Sequence, residues 1–157
     1  MFRLSKKNKS LGLLVFCGLL VEAGIFPIPQ LNSISVWAHE VEVSGDVAAT
    51  FHLEPNHNPR AGQPARVWFA LTRRGGQIIP LEQCHCKLAV YPKNRKNGDK
   101  PLMQPPLTAI FAEKYQGIPG ANIVFPKAGI YELKLSGTAK TKANFKPFEL
   151  SYTVTVR

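Results

Sequence analysis

Val41-Glu42-Val43-Ser44-Gly45-Asp46-Val47-Ala48-Ala49-Thr50-Phe51-His52-Leu53 is the stretch that decides the fold. Val41, Val43, Val47, Ala49, Phe51 and Leu53 fall on odd positions. Glu42, Ser44, Asp46, Thr50 and His52 fall on even ones, with Ala48 the one apolar intruder. Successive side chains of a strand point to opposite faces, so this pattern predicts one buried and one wet face. Gly45 interrupts it and predicts a bulge or bend between two strand segments.

Working downstream, the same period returns. Pro55, Asn56, Asn58 and Pro59 make a loop that Ala61-Gly62-Gln63-Pro64 completes. Arg66–Thr72 alternates again, with Val67, Phe69 and Leu71 on one face. Gly75-Gly76 can supply the positive φ angles of a hairpin into Gln77–Leu81. Lys87–Tyr91 reads as a strand and Pro92–Pro106 as a polar loop. Leu107, Ile110, Phe111 and Tyr115 have helical spacing after Pro106, but their neighbours are all strands, and a strand is expected there too. Gly117-Ile118-Pro119-Gly120 reads as a compact turn before a short strand, Ile123–Phe125. Ile130–Leu135 and Phe148–Val156 close the series, with Tyr131, Leu133, Leu150, Tyr152 and Val154 facing the core. About seven short strands separated by turn residues predict an all-β protein, an antiparallel two-sheet sandwich of immunoglobulin-like type.

Upstream, the chain changes character. Arg3, Lys6, Lys7 and Lys9 form a basic head, Leu11–Val21 is an apolar run, and Val36-Trp37-Ala38 offers a cleavage site before His39. Residues 1–38 therefore read as an export signal, and residues 39–157 as one β-sandwich domain. Cleavage after Ala23 is the rival. An uncleaved membrane anchor is the alternative, although Glu22 and Pro27 interrupt a run shorter than the roughly 20 residues a span needs. Cys17 lies mid-core behind Phe16, a poor setting for lipid attachment. The expected location is the periplasm or an equivalent lumenal space.

Charge narrows the partners. The chain carries a net charge of +10, and the basic head supplies only part of it. The densest basic group is Lys93, Arg95, Lys96 and Lys100, around the turn dipeptide Asn97-Gly98. An exported chain without an aromatic–basic motif is a poor nucleic-acid binder. An anionic membrane surface or an acidic protein partner suits it better. The catalytic inventory is thin, with no nucleophile elbow, no His-Glu-x-x-His and no phosphate-binding loop, so no enzyme is expected. The pattern leaves the oligomeric state open.

Two groups of side chains have chemistry available. All the histidines, His39, His52, His57 and His85, lie in the domain. Imidazoles suit copper and zinc. His52 lies on the wet face, His57 just beyond it in the loop, and His39 would become an amino terminus able to chelate through its amine and ring together. Cys84-His85-Cys86 is the second group. Its thiolates could hold Cu(I), but alternation places Cys84 and Cys86 with Leu88 and Val90 on the apolar face, which equally suits core thiols or a local disulfide. Candidate metal ligands are thus His39, His52, His57, Cys84 and Cys86, with copper as the only cofactor considered. A thiol redox role for Cys84 and Cys86 is a further option, weakened by the absence of a Cys-x-x-Cys at a helix start.

The run Glu54-Pro55-Asn56, then Pro59-Arg60-Ala61-Gly62-Gln63-Pro64 leading into Val67–Leu71, and the later Phe125-Pro126-Lys127-Ala128-Gly129-Ile130-Tyr131-Glu132-Leu133, resemble exported immunoglobulin-like domains of the YtkA and FixH kind. Together with Cys-His-Cys, they look like a secreted family of cyanobacteria. The resemblance implies a sandwich over roughly residues 40–156 and, for some such domains, copper handling or oxidase assembly. A Met-rich copper motif is missing, since Met103 is the only methionine of the domain. The expectation is an exported, non-enzymatic binding or assembly-support module at the outer face of a membrane, with copper binding or delivery as the alternative.

Overall fold

A computed structural model describes residues 40–140 and 143–157; the segment 1–38, expected to be an export signal, and His39 lie outside the described residues. Nine strands follow one another: β1 Glu40–Ser44, β2 Val47–Glu54, β3 Pro64–Arg73, β4 Gln77–Ile78, β5 Lys87–Pro92, β6 Thr108–Ala112, β7 Tyr115–Val124, β8 Gly129–Gly137 and β9 Phe148–Val156. A 3₁₀ turn, Leu81–Gln83, is the one helical element among the described residues. One sheet has the order β1-β2-β3-β7-β6, with β4 also paired to β3; the other is β5-β8-β9. All pairings are antiparallel. The expected all-β two-sheet sandwich is what the chain forms, with two strand units more than the alternation alone suggests. Among the described residues no helix is long and apolar enough to cross a membrane.

The core lies between the sheets. From the larger sheet come Val47, Ala49, Phe51, Leu53, Val67, Phe69 and Leu71, all buried. From the smaller come Leu88, Val90, Tyr131, Leu133, Leu135, Leu150, Tyr152 and Val154, also buried. Phe51 and Tyr152 stack across the interface at 4.6 Å, and the Tyr152 hydroxyl donates to the Ala49 carbonyl at 3.2 Å. That bond satisfies a polar atom that burial would otherwise penalise. Burial holds the Tyr152 hydroxyl well above the ordinary phenol range, with Glu42 and Glu40 adding to the effect.

Two local readings need correction, the face of the β1 valines and the turn at Gly117–Gly120. Gly45 separates two strand segments, as expected. With φ +64 it opens a two-residue hairpin turn, Gly45-Asp46, between β1 and β2. The turn pairs Val41 with Thr50 and Val43 with Ala48, so an odd residue of β1 faces an even residue of β2. Directly paired residues share a face. The valines of β1 therefore land on the outer face, 57% and 68% exposed, while the odd residues of β2 fill the core.

Gly117-Ile118-Pro119-Gly120 is not a turn. It runs inside β7, beside a register shift at Ile110/Phe111 in β6. Gly117 takes φ +71, and Gly120 lies under Ile110, whose Cδ1 would stand 2.5 Å from an added Cβ. The β3 ladder stops at Gly120, so the missing N–H of Pro119 falls outside it. Leu107–Tyr115 forms the expected strand in place of a helix. Its central part is the edge strand β6, and the chain turns at Glu113, φ +52, into β7. The Gly75-Gly76 hairpin forms as expected, with φ +91 and +79, but β4 is only two residues long.

Candidate histidine site

β2 and β3 pair with His52 opposite Trp68 and Glu54 opposite Arg66, all on the outer face of the larger sheet. β2 then ends in a tight loop. Asn56 and His57 both adopt positive φ, 54° and 50°, and the His57 amide donates to the Leu53 carbonyl at 2.8 Å. Asn and His are among the few non-glycine residues that occupy this region with any frequency. The loop thereby folds back over the strand it has just left. His57 Nε2 arrives 3.2 Å from His52 Nδ1. The rings lie edge to face with centroids 4.6 Å apart, and both are half-buried.

Neighbouring groups hold the pair in place. His52 stacks on the Trp68 indole at 4.8 Å with an interplanar angle of 16°. The indole N–H donates to Glu54 Oε1 at 3.3 Å. Arg66 grips the same carboxylate through two bonds, at 2.9 and 2.7 Å. The hydrogen bond from Arg66 is the main cause that holds the Glu54 carboxyl below the ordinary carboxylate range; the Arg66 charge, the Trp68 donor and His52 act in the same direction. Glu54 is thus an anchored anion beside the imidazoles, and its oxygens are already engaged.

Trp68 is the residue that alternation misses. It is 1% exposed although it points away from the main core. With Ala70, Ala112 and Ile118 it forms a second apolar cluster on the outer face, flanked by Ile78, Ile110 and Tyr115. The sequence carries one sign of this: Val67-Trp68-Phe69-Ala70-Leu71 is a continuous apolar run, which marks a strand buried on both faces.

The cysteines lie elsewhere. Cys84 is buried and Cys86 half-buried, with the histidine between them exposed, so the face assignment read from alternation holds. The two sulfurs are joined in a disulfide, with Cα atoms 5.1 Å apart. In that form neither thiolate is available to a metal. The disulfide is built into the packing: an added Cβ at Gly137 would meet Phe148 at 2.6 Å and Cys84 Sγ at 2.7 Å. The structure therefore brings together His52 and His57. It separates Cys84 and Cys86 from them at the opposite end of the strands, and His39 lies outside the described residues. Among the described residues no group of three His, Cys, Asp or Glu side chains converges.

An antiparallel β-sandwich with a paired-histidine surface site is the class of protein these features define. No family model and no curated protein matches the chain. Two solved structures are similar in outline. A DUF4426 family protein from Pseudomonas aeruginosa PAO1 is 11% identical over 74% of this chain and 97% of its own, with a TM-score of 0.47. FetP of uropathogenic E. coli strain F11, expressed in the periplasm, is 14% identical over 75% of this chain and 93% of its own, with a TM-score of 0.48.

Proposed function

We propose that this chain is an exported, non-enzymatic β-sandwich that binds copper through His52 and His57. One observation carries the reading, the 3.2 Å separation of His57 Nε2 and His52 Nδ1. Two nitrogens that each stand about 2.0–2.1 Å from one tetrahedral ion are roughly 3.3 Å apart. The pair is thus spaced as two ligands of a single ion. Copper is the favoured divalent ion for nitrogen donors by affinity, and a small rotation of either ring brings the pair to the roughly 2.9 Å of neighbouring positions in its tetragonal geometry. Trp68, Glu54 and Arg66 fix one imidazole plane, as supporting groups commonly do around metal ligands. The remaining ligands would come from solvent or a partner, or from the amine and ring of His39 if export cleaves the chain before it. The basic head, the apolar run and Ala38 support export. The resemblance to YtkA and FixH domains supports a role in copper handling or assembly at the outer face of a membrane.

Copper titration of the purified protein tests this. The expected outcome is binding that His52→Ala or His57→Ala weakens by at least the 10–100-fold that changes around ligands cost. Because imidazole must be deprotonated to bind, affinity should also fall as pH drops through about 6.5. Cys84→Ser with Cys86→Ser should leave it unchanged. Binding that survives both histidine substitutions would reduce the pair to a hydrogen bond that pins the Pro55–Pro59 loop. Mass measurement of the exported chain shows whether His39 is its first residue.

A further inference from the structure

The end of the sandwich that carries the Pro55–Pro59 loop has a second feature, independent of the histidines. Three segments meet there. The loop after β5 begins with Lys93, whose amide donates to the Ile130 carbonyl at 2.9 Å and so lies beside the start of β8. The β7–β8 turn carries Lys127 at its tip. The Pro59–Gly62 loop is tied to both the turn and the chain's last residue: Gly62 donates to the Phe125 carbonyl at 2.8 Å, and Ala61 to the Arg157 carbonyl at 2.8 Å. Lys93 and Lys127 line one open groove of 590 Å³ floored by Ile130 and Tyr131. Arg60, Lys93 and Lys127 are all exposed at this end.

Nearby charges do not cancel these cations. Glu54 is taken by Arg66, and Glu132 by Arg95 at 2.8 Å. Arg95 itself lies over the Tyr91 ring at 4.2 Å, fixed on the sheet face. Asp99 binds the backbone of its own turn at Lys96. The turn also mixes charge with aliphatic surface. Val124 and Ile130, on either side of Lys127, are each 51% exposed.

We infer that this end of the sandwich docks on a bilayer containing anionic lipid, with Lys93 and Lys127 among the headgroups and Val124 and Ile130 at the acyl boundary. Charge alone would suit an acidic protein as well. Exposed aliphatics flanking a lysine at a strand turn favour the lipid surface, where the ammonium reaches headgroups while apolar side chains enter the interface. The two cations that line the groove, Lys93 and Lys127, are lysines on separate loops, point charges without the fixed fork that a defined carboxylate site would use.

The test is co-sedimentation of the full chain with vesicles of equal parts phosphatidylcholine and phosphatidylglycerol, and with phosphatidylcholine alone. The N-terminal segment is common to every sample, so only differences between variants are read. Lys93→Ala with Lys127→Ala should lower partitioning onto the anionic vesicles by about 30-fold, at about fivefold per cation. The loss should shrink as salt rises. Arg74→Ala with Lys146→Ala removes the same charge from the opposite end and should change partitioning far less. Val124→Asn with Ile130→Asn should weaken binding without changing its salt dependence. Thermal unfolding of each variant confirms that it is folded. Equal losses from the two pairs would overturn the proposal, leaving only net charge. So would vesicle binding indifferent to Val124 and Ile130 combined with lysine-dependent binding of polyglutamate, which would point to an acidic protein.

Discussion

On the outer face of the three-stranded sheet, Ser151 and Thr153 stand exposed, and Lys134 pairs with Glu149 at 2.6 Å. On the outer face of the six-stranded sheet, Trp68 is 1% exposed, stacked on His52 and bonded to Glu54. Both faces belong to strands whose other side fills one shared core. The first face does what an antiparallel sheet usually does, apolar in and polar out. The second spends its most central strand, β3, on two apolar environments at once. A sheet needs only one buried face to be stable. The second burial orients particular side chains, and here those are the imidazoles and the carboxylate of the candidate site.

Truncation probes the comparison most strongly. Phe69→Ala on the inner face and Trp68→Ala on the outer face should each cost about 3–5 kcal/mol in urea unfolding, as large aromatic deletions from packed sites do. The equivalent outer position of the other sheet, Thr153→Ala, should stay within about 0.5 kcal/mol. A Trp68→Ala cost as small as that of Thr153→Ala would make the two outer faces equivalent and break the distinction.

Gly137→Ala comes next. The added Cβ would stand 2.6 Å from the Phe148 ring and 2.7 Å from Cys84 Sγ, neither of which yields easily. Overpacking of this kind should cost about 1–3 kcal/mol. Gly120→Ala meets Ile110 of an edge strand, a half-buried side chain with more room to shift than the Phe148 ring and the disulfide, and should cost less. Finding the reverse order by thermal unfolding would show the disulfide end to be the looser of the two.

Trp68→Phe is a milder probe of the outer face. It keeps an aromatic ring against His52 but removes the indole donor to Glu54 and some buried volume, so the expected loss is about 1–2 kcal/mol. It should also weaken copper binding if Trp68 positions His52, whereas Thr153→Ala should not.

The smallest effect is the acid dependence of the Glu54–Arg66 pair. The Glu54 value is depressed in the folded state. Such a group contributes stability that is present above its unfolded value and lost as pH falls through its folded one. The pair is partly exposed, 46% and 35% for the two side chains, so the contribution should be only a few tenths to about 1 kcal/mol. The difference in unfolding free energy between the native chain and Arg66→Ala should therefore shrink as the solution is acidified below the carboxylate range. A difference constant with pH would mean that Arg66 acts through its aliphatic stem alone.

The fold class and most of the core are legible one strand at a time. Period-two alternation is local, and burying one face of a strand is the simplest way to satisfy it, so Phe69, Leu133, Leu150 and Tyr152 could each be read from their own segment. The same logic read Cys84 and Cys86 onto the inner face and His52 onto the outer. Which residues are paired depends on how distant segments come together. The turn at Gly45 sets the β1–β2 register, and a two-residue turn exchanges odd for even, which moved Val41 and Val43 to the surface against their own pattern. Gly117–Gly120 has turn composition but lies in a strand, because Gly120 accommodates Ile110 of the neighbouring strand β6. Likewise, the meeting of His52 and His57 depends on left-handed backbone at Asn56 and His57, and the support from Trp68 depends on a cross-strand register spanning 16 residues of sequence. Such contacts are properties of pairs of segments, and no single segment's spacing encodes them.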